Sequence, residues 1–198
     1  MIMTTSGNIL AISGSLRDGS LNTEVLRACA LVAPRSVTVT VFDGLASLPH
    51  FSPDLDAASD VLPATVADFR REIREADALL IASPEYAHGV PGSLKNALDW
   101  LVSSSEMLCK PIGLLNTSPR SSHAYTSLLE IMRTMSTLVV PGALVELPLT
   151  RSMVNAQRIA ANPEIADRLH SALLALSIAG MHYRLRSADW RSLGTVLR

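Results

Sequence analysis

The chain has 198 residues, the size of one domain with a full hydrophobic core, and its hydrophobic fraction of 48% does not indicate disorder. The formal net charge of −1 gives no reason to expect binding to nucleic acid or to an anionic membrane. No apolar stretch approaches the roughly 18 to 20 residues that a membrane span requires.

Targeting signals, disulfides and metals are also not indicated. The segment MIMTTSGN at the amino terminus has neither the basic start nor the apolar stretch of a signal peptide, which predicts a cytoplasmic protein. Cys29 and Cys109 lie far apart, and buried free thiols are favoured, although a disulfide stays open. The five histidines are scattered without metal-ligand spacing, so no metal site is predicted.

Short apolar runs of β type alternate with helical patterns along the chain. Strands are predicted at residues 8–13, 37–42, 77–83, 110–115 and 139–147, and helices at residues 20–33, 63–76, 91–104, 122–137 and 162–181. This alternation indicates an α/β fold with a doubly wound parallel sheet. A single domain is predicted over residues 1–198. Within it, residues 44–62 form a long irregular connection, and the tail from about 182 is an extension that packs on a neighbour or stays mobile.

The loop SGSLRDGSLN, residues 13–22, joins the first predicted strand to the first predicted helix. Backbone N–H groups at a helix start, together with the helix dipole, favour an anion at that point. The polar side chains of the loop suit the oxygens of a phosphate monoester: the hydroxyls of Ser13, Ser15 and Ser20, the guanidinium of Arg17 and the amide of Asn22.

Two other phosphate-binding loops are disfavoured by what this segment lacks. A P-loop would end in Gly-Lys-Ser or Gly-Lys-Thr. A dinucleotide fingerprint would carry three glycines, whereas only Gly14 and Gly19 are present here, although Asp43 lies at a tolerable distance for a ribose contact. An ordinary strand-to-helix connection with Ser20 as the helix N-cap remains an alternative.

A second unusual loop follows the third predicted strand, in SPEYAHGVPGSLKNALDW at residues 83–100. Pro84 and Pro91 bracket a short, stiff loop in which Tyr86 is placed to lie on a flat ring or against a partner subunit, and Glu85 is expected to stay accessible to solvent. With strand order 2-1-3-4-5, the order reverses between strands one and three, where open α/β sheets bind ligands. The two loops would then lie side by side. A rigid turn before a packed helix is the alternative.

Together, GSLRDGSLN at residues 14–22 and PEYAHGVPGSLKNALDW at residues 84–100 resemble the NADPH-dependent FMN reductase family, which includes flavin, azo-dye, quinone and chromate reductases. The resemblance implies a flavodoxin-like three-layer sandwich with a five-stranded parallel sheet in the order 2-1-3-4-5. It also implies bound FMN, NADPH or NADH as the electron donor, and a small-molecule acceptor such as flavin or quinone. The order of predicted elements agrees over about residues 8–180.

The resemblance assigns the first loop to the FMN 5′-phosphate and the second loop to the isoalloxazine ring. No catalytic residue is named, because the flavin itself carries the redox chemistry. Many relatives have Asn where this chain has Ala87, so ring contacts are expected from the backbone N–H groups of Ala87 and Gly89. The cofactor-binding residues implied are Ser15, Arg17, Ser20, Leu21, Asn22, Thr23, Pro84, Glu85, Tyr86, Ala87, Gly89 and Ser118.

The third loop, residues 116–125, lacks the glycines that are common in the family, which leaves Ser118 as the candidate contact there. Arg120 and His123 in this loop are candidates for binding a nicotinamide phosphate or an anionic acceptor, weighed against the alternative that each is an ordinary surface residue.

Oligomers are also implied by the resemblance. The family relation suggests a homodimer or homotetramer with the helix after the second loop in the interface, where Trp100 and Leu101 are candidates. From the sequence alone, Trp100 suits a core position better. Two other functions stay open: an electron carrier of the flavodoxin kind, disfavoured by Arg17 and the near-neutral charge, and an FMN-binding regulatory module without turnover, suggested by Ala87 and the third loop.

Overall fold

A computed structural model describes residues 7–57, 62–118, 122–147, 149, 153 and 155–196. Within these residues the strands are β1 (Gly7–Ser13), β2 (Val37–Phe42), β3 (Ala78–Ala82), β4 (Pro111–Asn116) and β5 (Leu138–Glu146). Each strand lies within one residue of its predicted bounds. They form one parallel sheet in the order β2-β1-β3-β4-β5, which confirms the predicted flavodoxin-like topology.

Helices cover both faces of the sheet and complete the three layers. The helices are α1 (Leu21–Val32), α2 (Pro53–Ala57), α3 (Ala64–Glu75), α4 (Gly92–Asp99), α5 (Ser122–Thr134), α6 (Ala156–Ala160) and α7 (Pro163–Val196). Successive residues of β1 face the two layers in turn, because Ile9 and Ala11 belong to the core under α1, α6 and α7, whereas Leu10 and Ile12 belong to the core under α3, α4 and α5. Burial on both faces explains why β1 and β3 are continuous apolar runs.

The last helix is longer than the predicted one. The helix predicted to end at residue 181 continues to Val196, so its predicted end is wrong, and the extension from about residue 182 is helical as far as residue 196. Contacts just beyond residue 181 hold the helix to the amino edge of the sheet. Arg184 Nε lies 3.1 Å from Asp77 Oδ1, and Lys110 Nζ lies 4.5 Å from the centre of the Tyr183 ring. No helix of the described residues has the length and apolar character for crossing a membrane.

The connection after β2, which the sequence predicts to be irregular, has regular structure in part and is held to a neighbouring helix by hydrogen bonds. It contains a 3₁₀ turn at Gly44–Ser47 and the short helix α2. The carbonyl of Pro49 accepts hydrogen bonds from Trp100 Nε1 at 2.8 Å and Asn96 Nδ2 at 2.9 Å, and Asn96 Oδ1 accepts one from Phe51 N at 2.8 Å. The described part of this connection therefore packs on α4, the helix that follows the second loop.

Burial corrects two expectations about individual side chains. Trp100 and Leu101 are fully buried in the core, so they are not exposed to a partner subunit as the resemblance implied. Both cysteines are free, as favoured, but only Cys29 is buried, and burial raises the pKa of its thiol to about 12. Cys109 is exposed in the turn before β4, and its φ of 55° lies in the left-handed region, outside helix and strand geometry.

Asp56 of α2 generates a prediction about stability and pH. The hydrogen bond from the Ser103 hydroxyl and the guanidinium of Arg70 hold the pKa of Asp56 below its ordinary value. A carboxyl with a lowered pKa stabilises the fold above its unfolded pKa, about 3.9, and this contribution is lost as the pH falls through the folded value. We predict that Asp56→Asn lowers the free energy of unfolding by about 1 to 2 kcal/mol at neutral pH, and that this deficit shrinks below about pH 4.

Urea denaturation from neutral to acidic pH measures this difference. Asp68→Asn is the matched control, because Asp68 pairs with Arg71 at the surface with more than half of each side chain exposed. It should change the free energy of unfolding by less than about 0.5 kcal/mol. An Asp56→Asn deficit that is equal at all pH values would contradict the prediction.

Candidate functional site

Three loops meet at the carboxyl edge of the sheet, because β1 pairs with β3 and β3 pairs with β4. The loop after β1 and the loop after β3 are in direct contact. Gly14 N donates a hydrogen bond to Ala82 O at 2.8 Å, and a Cβ built on Gly14 would stand 2.6 Å from Ser83 Oγ. A side chain at residue 14 would require Ser83 or Leu94 to move, so glycine favours this close approach. The third loop is described at residues 117, 118 and 122–125, and the candidate Arg120 lies outside the described residues.

The first loop buries its hydroxyls and exposes its guanidinium. Ser15 and Ser20 are 8% and 6% exposed, whereas Arg17 is exposed. Ser15 Oγ accepts a hydrogen bond from Arg17 N at 3.3 Å. Ser20 occupies the N-cap position of α1, as expected for an ordinary strand-to-helix connection, but its side chain accepts no hydrogen bond from a helical N–H. Its backbone carbonyl accepts the hydrogen bond from Glu24 N. Its hydroxyl and the first N–H groups of α1 are therefore available to an anion.

The first turn of α1 is fixed by hydrogen bonds to the neighbouring strands. Thr23 Oγ1 lies 2.8 Å from Ser13 Oγ, and Asn22 Oδ1 accepts a hydrogen bond from Thr117 Oγ1 at 3.0 Å. Because the amide oxygen of Asn22 is used in this way, its NH₂ group is the part that can face a ligand, and phosphate oxygens require donors. Thr117 was not predicted. The available signal is the polar run that follows β4, in which the sequence indicates Ser118 as the cofactor contact.

The second loop is a tight two-residue turn. Tyr86 N donates to Gly89 O at 3.1 Å and Gly89 N donates to Tyr86 O at 2.9 Å, and the two central residues, Ala87 and His88, have φ of 50° and 59°. This is the geometry of a type I′ turn. The N–H of Gly89 is already bonded inside the turn, so it is not available for the expected ring contact. The N–H groups of Ala87 and His88 lie outside that bonded pair, and the Tyr86 side chain is exposed.

Glu85 corrects an expectation, because its carboxylate is not open to solvent. Glu85 Oε2 accepts a hydrogen bond from Ala124 N at 2.9 Å in the first turn of α5, and Oε1 lies 3.4 Å from His88 Nδ1. The first N–H groups of a helix lack partners within the helix and attract negative charge, which explains this position. Glu85 therefore caps α5 and joins the second loop to the third.

Two histidines face each other across the same junction. The rings of His88 and His123 lie edge to face with centroids 4.5 Å apart. Both residues are exposed at the carboxyl edge. Within the part of the chain that is described, no group of three or more His, Cys, Asp or Glu side chains is arranged to hold a metal ion.

The donor set of the first two loops is suited to FMN. Around the start of α1 are two buried hydroxyls, helical N–H groups, an amide NH₂ and an exposed guanidinium, which are donors of the kind that phosphate oxygens require. Beside them, the turn at residues 86–89 presents an aromatic ring and free backbone donors of the kind that a flat heterocycle with polar edges requires.

Comparisons with known proteins agree with this interpretation. The family model described as NADPH-dependent FMN reductase matches residues 8–149. A quinone reductase of Escherichia coli K12 is 37% identical over 118 residues, which cover 59% of this chain and 62% of that protein. A probable NADPH:quinone oxidoreductase 2 of Oryza sativa subsp. japonica is 44% identical over 94 residues, which cover 46% of each chain. The match therefore spans less than two thirds of the length of these relatives.

Among solved structures, FerB from Paracoccus denitrificans, a flavoenzyme NAD(P)H:(acceptor) oxidoreductase, has a TM-score of 0.75 to this chain. The two chains are 24% identical, and the superposition covers 89% of this chain and 98% of that one. At 24% identity, this similarity supports a common fold and nothing more specific.

The cap formed by Glu85 generates a prediction about stability. Glu85→Ala is expected to lower the free energy of unfolding by about 1 to 2 kcal/mol, because the N–H of Ala124 loses its charged partner. Glu85→Gln keeps an acceptor oxygen and should lose about half as much. Thermal or urea denaturation measures both. His88→Ala is the control, since it leaves the Ala124 bond intact, and equal destabilisation by His88→Ala and Glu85→Ala would contradict a capping role.

Proposed function

The chain belongs to the NADPH-dependent FMN reductase family, and from this we propose that it is an FMN-dependent NAD(P)H oxidoreductase acting on a small-molecule acceptor such as a flavin or quinone. The contact of the first two loops through Gly14 is the observation that supports the proposal most strongly. It joins a set of phosphate-binding donors to a turn suited to a planar ring. The relatives named quinone reductase favour a quinone as the acceptor.

We assign the FMN 5′-phosphate to the first loop. The hydroxyl of Ser20 is buried and does not cap α1, and the NH₂ of Asn22 is oriented by the hydrogen bond from Thr117. The exposed Arg17 is free to close over the phosphate as a charge-assisted donor. The residues assigned to the phosphate are Ser15, Arg17, Ser20 and Asn22 through their side chains, and Leu21 and Thr23 through their N–H groups.

We assign the isoalloxazine ring to the second loop, with Ser118 on its far side. Pro84 and Tyr86 offer flat apolar surface, and the N–H of Ala87 offers a donor for the ring's polar edge. Glu85 and Gly89 contribute by shaping the loop, because the carboxylate and the Gly89 N–H are both occupied by other bonds.

When bound, FMN would accept hydride from the nicotinamide and pass the electrons to the second substrate. The chain's own residues have the task of holding the cofactor, orienting the ring and leaving one face open to each substrate in turn. His123, beside His88 at the rim of the site, is proposed to contact the anionic part of the donor or acceptor. A cytoplasmic location and a homodimeric or homotetrameric state are likewise proposals.

Reduction without oxygen tests the activity. We predict that the protein loaded with FMN loses its visible flavin absorbance on addition of NADPH or NADH, and regains it when a quinone is added. Bound FMN that stays oxidised with both nicotinamides would favour a regulatory module or an electron carrier. A protein that binds no FMN would contradict every flavin-based function.

Arg17 tests the phosphate assignment separately. Arg17→Ala should raise the Kd for FMN by about 10-fold to 100-fold, because a charge-assisted hydrogen bond to phosphate is lost. Titration of apoprotein with FMN, followed by fluorescence, measures this effect. Affinity for riboflavin, which has no phosphate, should not change. Arg35→Ala is the control, because Arg35 is an exposed arginine just before β2, at the opposite edge of the sheet. Unchanged FMN affinity in Arg17→Ala would contradict the assignment.

A further inference from the structure

His88 lies at the tip of the second loop in an uncommon backbone conformation. Its φ is 59°, and that of the preceding Ala87 is 50°, in a turn type for which Asn-Gly is the favoured central pair. The side chain of His88 is 76% exposed, so core packing does not explain its position. An accessible imidazole held on a strained turn is a candidate for chemistry.

Glu85 holds one nitrogen of this imidazole. Glu85 Oε1 lies 3.4 Å from His88 Nδ1, and Glu85 Oε2 is fixed by the hydrogen bond from Ala124 N at 2.9 Å. A carboxylate that faces Nδ1 favours a proton on that nitrogen and orients the ring. When the protonated ring gives up a proton, the proton therefore leaves from Nε2.

His123 contacts the same imidazole from the first turn of α5. The rings of His88 and His123 meet edge to face with centroids 4.5 Å apart. The titratable groups in contact with His88 are thus Glu85 from its own loop and His123 from α5. Together they restrict rotation of the ring and leave most of it open to solvent and to a substrate.

The turn places this imidazole beside the proposed ring site. The N–H of Ala87, the residue before His88, is the donor assigned above to the polar edge of the isoalloxazine. An acceptor that lies on the open face of the ring is then next to His88. An imidazole changes its protonation near neutral pH, as a group that donates a proton to a substrate must.

We propose that His88 is the general acid that completes the reduction of a quinone, an inference that rests on the proposed function. A hydride brings two electrons and one hydrogen to one quinone oxygen, and the other oxygen becomes an anion that needs a proton. The Nε2–H bond of the His88 imidazolium breaks, its electron pair stays on Nε2, and the proton completes a neutral hydroquinone. Solvent then returns a proton to the exposed ring. Glu85 is the positioning residue for this transfer.

Oxidation by two acceptors tests the proton transfer. The protein loaded with FMN is reduced chemically, without nicotinamide, and mixed with benzoquinone, or with ferrocenium, which takes up an electron and no proton. His88→Gln should lower the ratio of the quinone rate to the ferrocenium rate by about 10-fold to 100-fold, toward the low end of general acid catalysis because water reaches the exposed ring. His182→Gln is the matched control, an exposed histidine of α7 at the amino edge of the sheet, and should not change the ratio. An equal ratio in His88→Gln and the wild-type protein would overturn the proposal.

The pH dependence of the same ratio tests which group supplies the proton. In the wild-type protein the ratio should fall between about pH 5 and pH 8, because the protonated fraction of an imidazole falls over this range. It should be flat in His88→Gln, whereas His123→Gln should keep the slope, since His88 still faces Glu85. A slope that persists in His88→Gln and is lost in His123→Gln would overturn the proposal.

NMR of the imidazole nitrogens in the protein without flavin tests the role of Glu85. The neutral ring of wild-type His88 should carry its proton on Nδ1. In Glu85→Gln the amide oxygen is required by Ala124 N, so the amide NH₂ faces His88 Nδ1 and should move the proton to Nε2. The same tautomer in both proteins would overturn the positioning role, because a purely structural cap would not change it.

These outcomes separate the general acid from the proposed function. A wild-type protein that binds no FMN, or whose reduced flavin is not oxidised by a quinone, contradicts the proposed function and the general acid with it. A wild-type protein that reduces quinone, with a ratio that His88→Gln does not change, contradicts the general acid alone.

Discussion

Gly14 lies so close to Ser83 that any side chain on it would collide with the serine hydroxyl, and the carboxyl edge of the sheet is organised around this approach. The strand order reverses between β1 and β3, so the connections that follow these two strands leave the sheet toward opposite faces. A crevice opens between them. The first and second loops approach each other in that crevice so closely that a Cβ at residue 14 would force Ser83 or Leu94 to move. The proposed cofactor site thus depends on one glycine and on the order of the strands.

Hydrogen bonds between the loops then divide the polar groups into two sets. One set holds the edge together: Thr117 to Asn22, Ser13 to Thr23, and Glu85 to the first turn of α5. Those bonds leave a second set of donors available to a ligand: the Ser20 hydroxyl, the Asn22 NH₂ and the Arg17 guanidinium. A site whose donors are already oriented loses less entropy on binding than one that must order them. In the proposed site, these residues bind and orient the cofactor, and the redox chemistry is left to the flavin.

The sequence predicted what depends on local pattern and missed what depends on distant contacts. The strands followed from apolar runs, and the two loops from polar residues at their ends. Thr117 was missed because its partner Asn22 is 95 residues away, and Glu85 was misjudged because the helix that it caps begins far along the chain. The turn at Ala87 and His88 has no glycine at its centre, so nothing local indicated positive φ. The end of α7 was misplaced because apolar periodicity fades where a helix leaves the sheet.

Amide hydrogen exchange, measured without flavin, with FMN and with riboflavin, is the most direct test of a preformed FMN site at the carboxyl edge. FMN should slow exchange in residues 14–23 and 84–89 together, whereas riboflavin should slow it in residues 84–89 only, because it has no phosphate for the first loop. Protection by FMN along α7 instead of these loops, or equal protection of residues 14–23 by riboflavin, would contradict the assignment of phosphate and ring.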